Sequence, residues 1–323
     1  MDSEKIYSTR VQRGKRERNK RAFVILLLFF LILIGIFLQR NLFQNKTQLV
    51  ISPVGMTPFP TAQVVSAVAN SPGIEKNILS TLQGENGTYG IFIKNLATDE
   101  IYTLHPQQSF ESASLYKLWI MAIVFQNIQS GKLQENTLLS KDAQDLDAEF
   151  QITPDPTQQS EGTISMSVDD GLQKMITISD NDAALMLTDA IGESSIVSFL
   201  KKYGMNNSAI GREGKVPTTT AQDVATFFEK LYGGQFANTK YTEEMIALLK
   251  NQLLNEKIPK YLPEDTTIAH KTGELDSFSH DAGIIYTPKG NYIIVVLTNT
   301  TDTDHANEII AEISKNVYSY FFH

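Results

Sequence analysis

The chain has 323 residues, 42% of them hydrophobic, and a formal net charge of −8, enough for one large or two ordinary domains with a real core. It contains no cysteine, which excludes disulfides, thiol catalysis and cysteine–zinc sites. The charge is uneven: residues 1–21 hold eight Lys and Arg against Asp2, Glu4 and Glu17, which leaves them at +5 and the remainder at −13.

A basic tail suits nucleic acid or acidic lipid, but the neighbouring stretch gives a simpler reason for it. Residues 22–38 are an uninterrupted apolar run of 17 residues without a charge, near the lower limit for a membrane-spanning helix. Dense Lys and Arg on its N-terminal side keep that side in the cytoplasm. A cleaved signal peptide is the rival reading, but no small-x-small site is present in residues 39–43. We expect residues 1–21 as a cytoplasmic tail, residues 22–39 as an uncleaved transmembrane signal anchor in a single-pass, membrane-anchored chain, and no nucleic-acid partner. Residues 40–74, with Pro53, Pro58, Pro60 and Pro72 and no persistent period, are expected as an extracytoplasmic linker.

Residues 75–323 read as one folded domain. Residues 74–82 have helical spacing, and residues 90–96 and 101–104 read as strands joined by a turn at Ala97-Thr98-Asp99-Glu100. The next stretch is polar at its start, Phe110-Glu111-Ser112-Ala113-Ser114. It then turns apolar through Ile120, Met121, Ala122, Ile123, Val124 and Phe125 and stops at Ser130-Gly131, as a buried helix with a C-terminal glycine does. Residues 131–166 are mostly polar and loop-rich. Helices are expected over residues 167–176 with Ser167 as cap, 182–191, 194–203, 220–232 with a capping-box-like opening from Thr220 to Asp223, and 241–254. The last third changes character. Residues 267–271, 282–287 and 292–298 are short and β-branched, with Pro288-Lys289-Gly290 the clearest turn. Residues 307–322 close as a helix. Strands at both ends with helices between them predict an α+β fold, in which one antiparallel sheet is built from both ends of the domain and a helical subdomain is inserted in the middle.

Ser114 and Lys117 lie three apart, so on a helix they share a face. They also sit in a first turn, whose unpaired N–H groups favour negative charge. A serine becomes a nucleophile beside a base, and a lysine desolvated by apolar neighbours can lose its proton and serve as one. The tetrad alone is common in helices. It gains weight from Ser179-Asp180-Asn181 and Lys271-Thr272-Gly273, which come after it in order within the same domain. Together the three elements resemble the penicillin-recognising serine hydrolases, specifically the class A β-lactamase branch. Phe110 four before the serine, Gln129-Ser-Gly-Lys-Leu133, the run Thr218-Thr219-Thr220 opening a helix, and Ala282-Gly283-Ile284-Ile285 are similar to further family features. The resemblance covers about residues 76–323.

The resemblance implies that Ser114 attacks a carbonyl and carries the acyl group, and that Lys117 serves as or shares the base. Ser179 would pass a proton toward the leaving nitrogen. Lys271 would help to hold Lys117 neutral and attract an anionic substrate. Asn181 would bind the substrate amide and Thr272 a substrate carboxylate, while the backbone N–H groups of Ser114 and Glu274 would form the oxyanion hole. Asp180 would brace its loop. The implied substrate is a small-molecule β-lactam or a related amide, met outside the cytoplasmic membrane. A D,D-peptidase acting on cell-wall peptides and a non-turnover sensor or binding module are the alternatives. No cofactor is implied. No metal is expected either, since His105, His270, His280, His305 and His323 show no metal-ligand spacing.

The chain departs from the family in its loops. Class A β-lactamases carry a glutamate in a long loop before the Thr run, and it drives water onto the acyl-enzyme. Here residues 204–217 are shorter, lack Glu-x-x-Leu-Asn, and hold Glu213 as their only carboxylate, which reads as a surface residue. Acylation would then proceed while hydrolysis stalled. His270 stands where the family usually has an acid. Ser279-His280-Asp281 lies near a strand position where many members have a carboxylate-binding arginine, a charge His280 could partly replace when protonated.

Overall fold

The computed structural model describes residues 72–150, 162–211 and 215–322. The expected cytoplasmic tail, the signal anchor, nearly all of the linker, and Glu213 lie outside them. In chain order the described elements are α1 (Pro72–Thr81), β1 (Thr88–Asn95), β2 (Ile101–Leu104), β3 (Phe110–Glu111), a 3₁₀ turn (Ala113–Tyr116) and α2 (Lys117–Gln129). They continue with β4 (Leu138–Asp142), α3 (Ala143–Glu149), β5 (Thr163–Ser167), α4 (Val168–Thr177), α5 (Asn181–Ile191) and α6 (Glu193–Lys202). The last are β6 (Thr218–Thr219), α7 (Ala221–Tyr232), α8 (Thr239–Lys250), β7 (Thr267–Leu275), β8 (Phe278–Tyr286), β9 (Tyr292–Asn299) and α9 (Thr303–Phe322).

The main sheet has the order β2-β1-β9-β8-β7, and every neighbouring pair is antiparallel. Both ends of the domain thus supply one sheet, as the pattern of elements predicts. Side chains alternate across it. Ile91, Ile93, Ile294 and Val296 face the terminal helices and meet Ile74, Ile78, Ile309, Ile313 and Val317. Phe92, Ile293, Val295 and Leu297 face the other way, into the core of the inserted helices. The sheet is therefore covered on both faces, and its central strand β9 is apolar along nearly its whole length.

Helix α2 is the centre of the inserted part. Ten of its thirteen residues are buried, because α4, α5, α6 and α8 all pack on it. A helix apolar all round has no solvent face to keep. It ends as predicted at a left-handed glycine, Gly131 with φ 73°.

The structure corrects the expectations in four places. Helix α1 starts inside the stretch read as linker and opens on Pro72, whose missing N–H costs nothing in a first turn. The polar residues 131–166 contain a paired ribbon, β4 with β5. Its side chains are mostly exposed or half-buried, so it carries no hydrophobic alternation to read. β7 and β8 run on beyond the apolar segments to a tight turn at Asp276 and Ser277, with Asp276 left-handed at φ 49°. Helix α8 begins at Thr239 and stops at Lys250, four residues short of the expected end.

Candidate active site

Ser114 sits in the 3₁₀ turn Ala113–Tyr116, ahead of the α-helix that begins at Lys117. The expected first α-helical turn is thus a tighter one. In a 3₁₀ turn residues i and i+3 eclipse, so Ser114 and Lys117 still project to one side. Two backbone features deliver the chain to this point. Ser112 N–H donates to Pro217 O at 2.8 Å, and Ala113 is left-handed with φ 45°, a conformation that costs an L-residue energy and concentrates at functional sites. Phe110 anchors the approach from below, its ring lying where a Cβ on Gly90 would stand, 2.6 Å from Cε2. Ser114 is half-buried, whereas Lys117 is wholly buried.

The second motif comes to the same place. Asp180 caps α5 by accepting from Ala183 N–H at 2.8 Å, which is the bracing role expected of it. Ser179, just before, is also left-handed, with φ 61°. Lys117 Nζ donates to Ser179 O at 2.5 Å and to Asn181 Oδ1 at 2.8 Å, and lies 3.3 Å from Ser179 Oγ. From the other side Lys271 Nζ donates to Ser179 Oγ at 3.0 Å and to Thr272 O at 2.9 Å. One hydroxyl therefore bridges two buried amines. Burial lowers the Lys117 amine to about 7, against the pull of Asp180. Burial first, and the Lys117 charge next, push Lys271 well below its ordinary value.

β7 is the edge strand of the sheet, so half of its backbone groups face away from β8. Gly273 lets it press against the Ser114 turn. A Cβ there would lie 3.1 Å from Ala113 Cβ and 3.2 Å from both Ser112 O and Ser114 N. The backbone of the third motif and the backbone N of Ser114 are thus brought into contact, with Thr272 buried and Glu274 following on the exposed side.

His280 does not supply the substrate-facing charge considered for it. It is wholly buried, its Nε2 donates to Glu111 O at 2.8 Å, and its Nδ1 accepts from Thr298 N–H at 3.1 Å. Both ring nitrogens are used by backbone, and burial lowers the imidazole to about 4, so it is a neutral strut between β3 and the sheet. The cation beside β7 is instead Lys257, which donates to Glu274 Oε1 at 2.7 Å and to His280 O at 3.3 Å. It lies in the connection between α8 and β7, in no motif and no period, and nothing in the sequence marks it. His270 and Asp281 form a buried pair at 2.9 Å, and Asp281 Oδ2 also accepts from Ile258 N–H at 3.0 Å, which fixes the segment carrying Lys257.

The short loop before the Thr run is tied at both ends. Asp223 Oδ2 accepts from Asn207 N–H and Ser208 Oγ–H at 2.8 and 2.9 Å, and Ala209 bridges Thr218. The described residues of the loop, 204–211 and 215–217, contain no carboxylate. Among the described residues no three His, Asp or Glu side chains converge as a metal site requires.

Known proteins are similar to this chain over its folded part. The model of the β-lactamase enzyme family matches residues 73–321. The extended-spectrum β-lactamase PER-1 of Pseudomonas aeruginosa is 24% identical over 278 residues, 78% of this chain and 88% of its own. β-Lactamase SME-1 of Serratia marcescens is 24% identical over 265 residues, 76% of this chain and 88% of its own. Among solved structures, PBP-A superimposes with a TM-score of 0.70 at 24% identity, covering 78% of this chain and 97% of that one. A β-lactamase from Sphaerobacter thermophilus gives 0.69 at 23% identity, over 77% and 97% of the two chains. A substituted PBP-A, solved as an acyl-enzyme complex with penicillin G, gives 0.69 at 24% identity, over 77% and 96%.

Proposed function

We infer the reaction from one premise: this chain belongs to the β-lactamase enzyme family, and it is a serine hydrolase. The reaction that its site supports best is acyl transfer to Ser114 from a β-lactam or a related amide. The observation that carries the reading is the bridge Lys117–Ser179–Lys271. Neutral Lys117 takes the Ser114 proton as the Oγ–carbon bond forms. As the carbon–nitrogen bond breaks, that proton passes through Ser179 Oγ to the leaving nitrogen. Lys271 keeps the relay aligned and disfavours a second ammonium beside it. The N–H groups of Ser114 and Glu274 receive the developing oxyanion. Asn181 and Thr272 hold the substrate.

The second half of the reaction is slow. A water needs a base to attack the ester on Ser114, and the described part of the short loop offers none. The relative solved as an acyl-enzyme with penicillin G makes a lasting adduct a natural outcome on this fold. That favours, as the second reading, a penicillin-binding D,D-peptidase or sensor working on cell-wall peptides. The hydrolase domain begins with α1 at Pro72. We read residues 1–21 as cytoplasmic tail, residues 22–39 as transmembrane anchor and the rest of the stretch up to α1 as extracytoplasmic linker, supported by the charge asymmetry around a 17-residue apolar run.

The test mixes the detergent-solubilised chain with a penicillin and follows intact mass and free drug together. The expected result is an adduct on Ser114 that outlasts the measurement of drug loss, and no adduct on Ser114→Ala. An adduct on the Ala variant overturns the nucleophile, and rapid turnover overturns the slow second step.

A further inference from the structure

Helix α4 carries the chain to Ser179, and its last turn leaves carbonyls with no partner inside the helix. Ile178 N–H and Asp180 N–H both turn back to Lys174 O at 3.2 Å. The carbonyls after it are met from far along the chain. Gln252, in the connection between α8 and β7, is 4% exposed, and its Nε2 donates to Ile176 O at 2.8 Å, across 76 residues of sequence. Its Oε1 accepts from Leu253 N–H at 3.0 Å and from Leu254 N–H at 3.1 Å, while Leu253 N–H is shared with Thr177 O at 3.0 Å. One buried amide thus ties the end of α4 to a distant connection. Apolar packing does not replace it there, since Ile178, Leu253 and Leu254 are 49%, 66% and 43% exposed. Ser179 follows directly, in a left-handed conformation with φ 61°, which persists only where the surroundings over-determine it. Downstream that constraint is Asp180, the cap of α5. Upstream it is Gln252.

We propose that Gln252 is a positioning residue: by tying the end of α4 to the connection before β7, it holds Ser179 Oγ where the leaving nitrogen is protonated. The inference rests on acylation at Ser114 and the relay through Ser179. Lys117 takes the Ser114 proton whatever group leaves, and its hold on Asn181 Oδ1 does not depend on Gln252. Ser179 matters when a carbon–nitrogen bond breaks, because the nitrogen leaves only with a proton. A thioester differs. Its carbon–sulfur bond breaks with the electron pair on sulfur, and the thiolate leaves without a proton. A reacting group misplaced by about 1 Å can cost roughly a hundredfold. Loss of Gln252 therefore falls on donors with a nitrogen leaving group and largely spares those with sulfur.

Two donors that differ in the leaving atom test this on the full chain. One is benzylpenicillin, and the other is the thioester of phenylacetylglycine with mercaptoacetate. Both present a phenylacetylamino group and a carboxylate on the leaving side. The quantity read is the ratio of their acylation rate constants, penicillin over thioester, so that a general loss of folded protein cancels. Gln252→Met, which keeps the length of the side chain without its amide, should lower the ratio roughly tenfold. Gln252→Ala should move it the same way. Ser179→Ala should lower it too, and adding Gln252→Met to that variant should change it no further, since two residues that act through one group do not add. A ratio that stays put in both Gln252 variants overturns the proposal, whatever happens to the separate rates. A further fall in the Ser179→Ala background overturns it as well, because Gln252 would then act through something else. If neither donor acylates the native chain, acylation at Ser114 is the premise that fails, and the positioning role falls with it.

Discussion

At Ser179 one hydroxyl stands between two amines, and their protonation decides what it does. With both protonated it can only accept from each. With Lys117 neutral its two N–H groups stay on Ser179 O and Asn181 Oδ1, its lone pair is open to the Ser114 proton, and Ser179 Oγ, still accepting from Lys271, keeps its own proton for the leaving nitrogen. Burial places the Lys117 amine at about 7, so acylation should rise with pH, close to tenfold per unit well below 7, and level off above it. The check is the acylation rate constant of a neutral donor between pH 5 and 9. A flat profile would remove Lys117 as the base. Lys117→Arg, which cannot lose its proton, should cost about 10²–10⁴-fold in rate on the plateau above pH 7 and leave a flat profile below it. These residues are legible in the sequence because helical spacing fixes Ser114 against Lys117 and because the other two motifs come after them in order. Lys257 is not, since its role comes from a contact with Glu274 seventeen residues away. His280 misleads because the sequence shows its neighbours in the strand but not the Glu111 carbonyl and the Thr298 N–H that hold it neutral.

The edge strand β7 does at the level of elements what the lysines do at the level of atoms. It must lie against the Ser114 turn, and a Cβ on Gly273 would meet that turn at 3.1–3.2 Å, tighter than side chains usually pack. Gly273→Ala should push strand and turn apart by a few tenths of an ångström. In the proposed reaction that displaces the two N–H groups assigned to the oxyanion, and overpacking of this kind costs about 1–3 kcal/mol. The expected result is a folded variant with a slightly lower thermal midpoint whose acylation rate falls far more than its stability. Equal losses would mean that the contact is structural only. The amphipathic helices can be read ahead of the structure because burial repeats along them at 3.6 residues, and β9 and α2 because each is a bounded, continuous apolar run. β3 with β6, only two residues each, is too short to repeat, and the β4–β5 ribbon is too exposed. The ends of β7 and β8 escape for a different reason. Thr272, Ser279, His280 and Asp281 are polar and buried, because there the strands are lined for the site.

Across the whole molecule the same buried groups set how stability varies with pH. His280 has an ordinary value of 6.5 and is lowered to about 4. Between those values the unfolded chain binds a proton that the folded chain refuses, so stability falls as pH drops through that window, by about 3 kcal/mol in full. Lys117 has the same sign in another range. Its amine lies at about 7 against 10.5, so the unfolded chain again holds the extra proton and stability rises with pH from about 7 toward 10. Above that the sign reverses. Tyr102, Tyr116 and Tyr286 are raised from 10.0 to about 12 by burial. The unfolded chain loses those protons first, and stability declines beyond pH 10. Asp223, raised by burial, opposes the trend only in the range of carboxylates. The thermal midpoint should therefore peak at about pH 9–10, on the alkaline side of the usual pH 5–8. His280→Gln, which can still donate and accept once each, should flatten the limb between about pH 6.5 and 4 while leaving the alkaline limb in place. A maximum at or below pH 7 in the native chain would mean that the lysines at the site are ordinary ammonium ions. The base assigned to Lys117 would then be lost together with the stability argument.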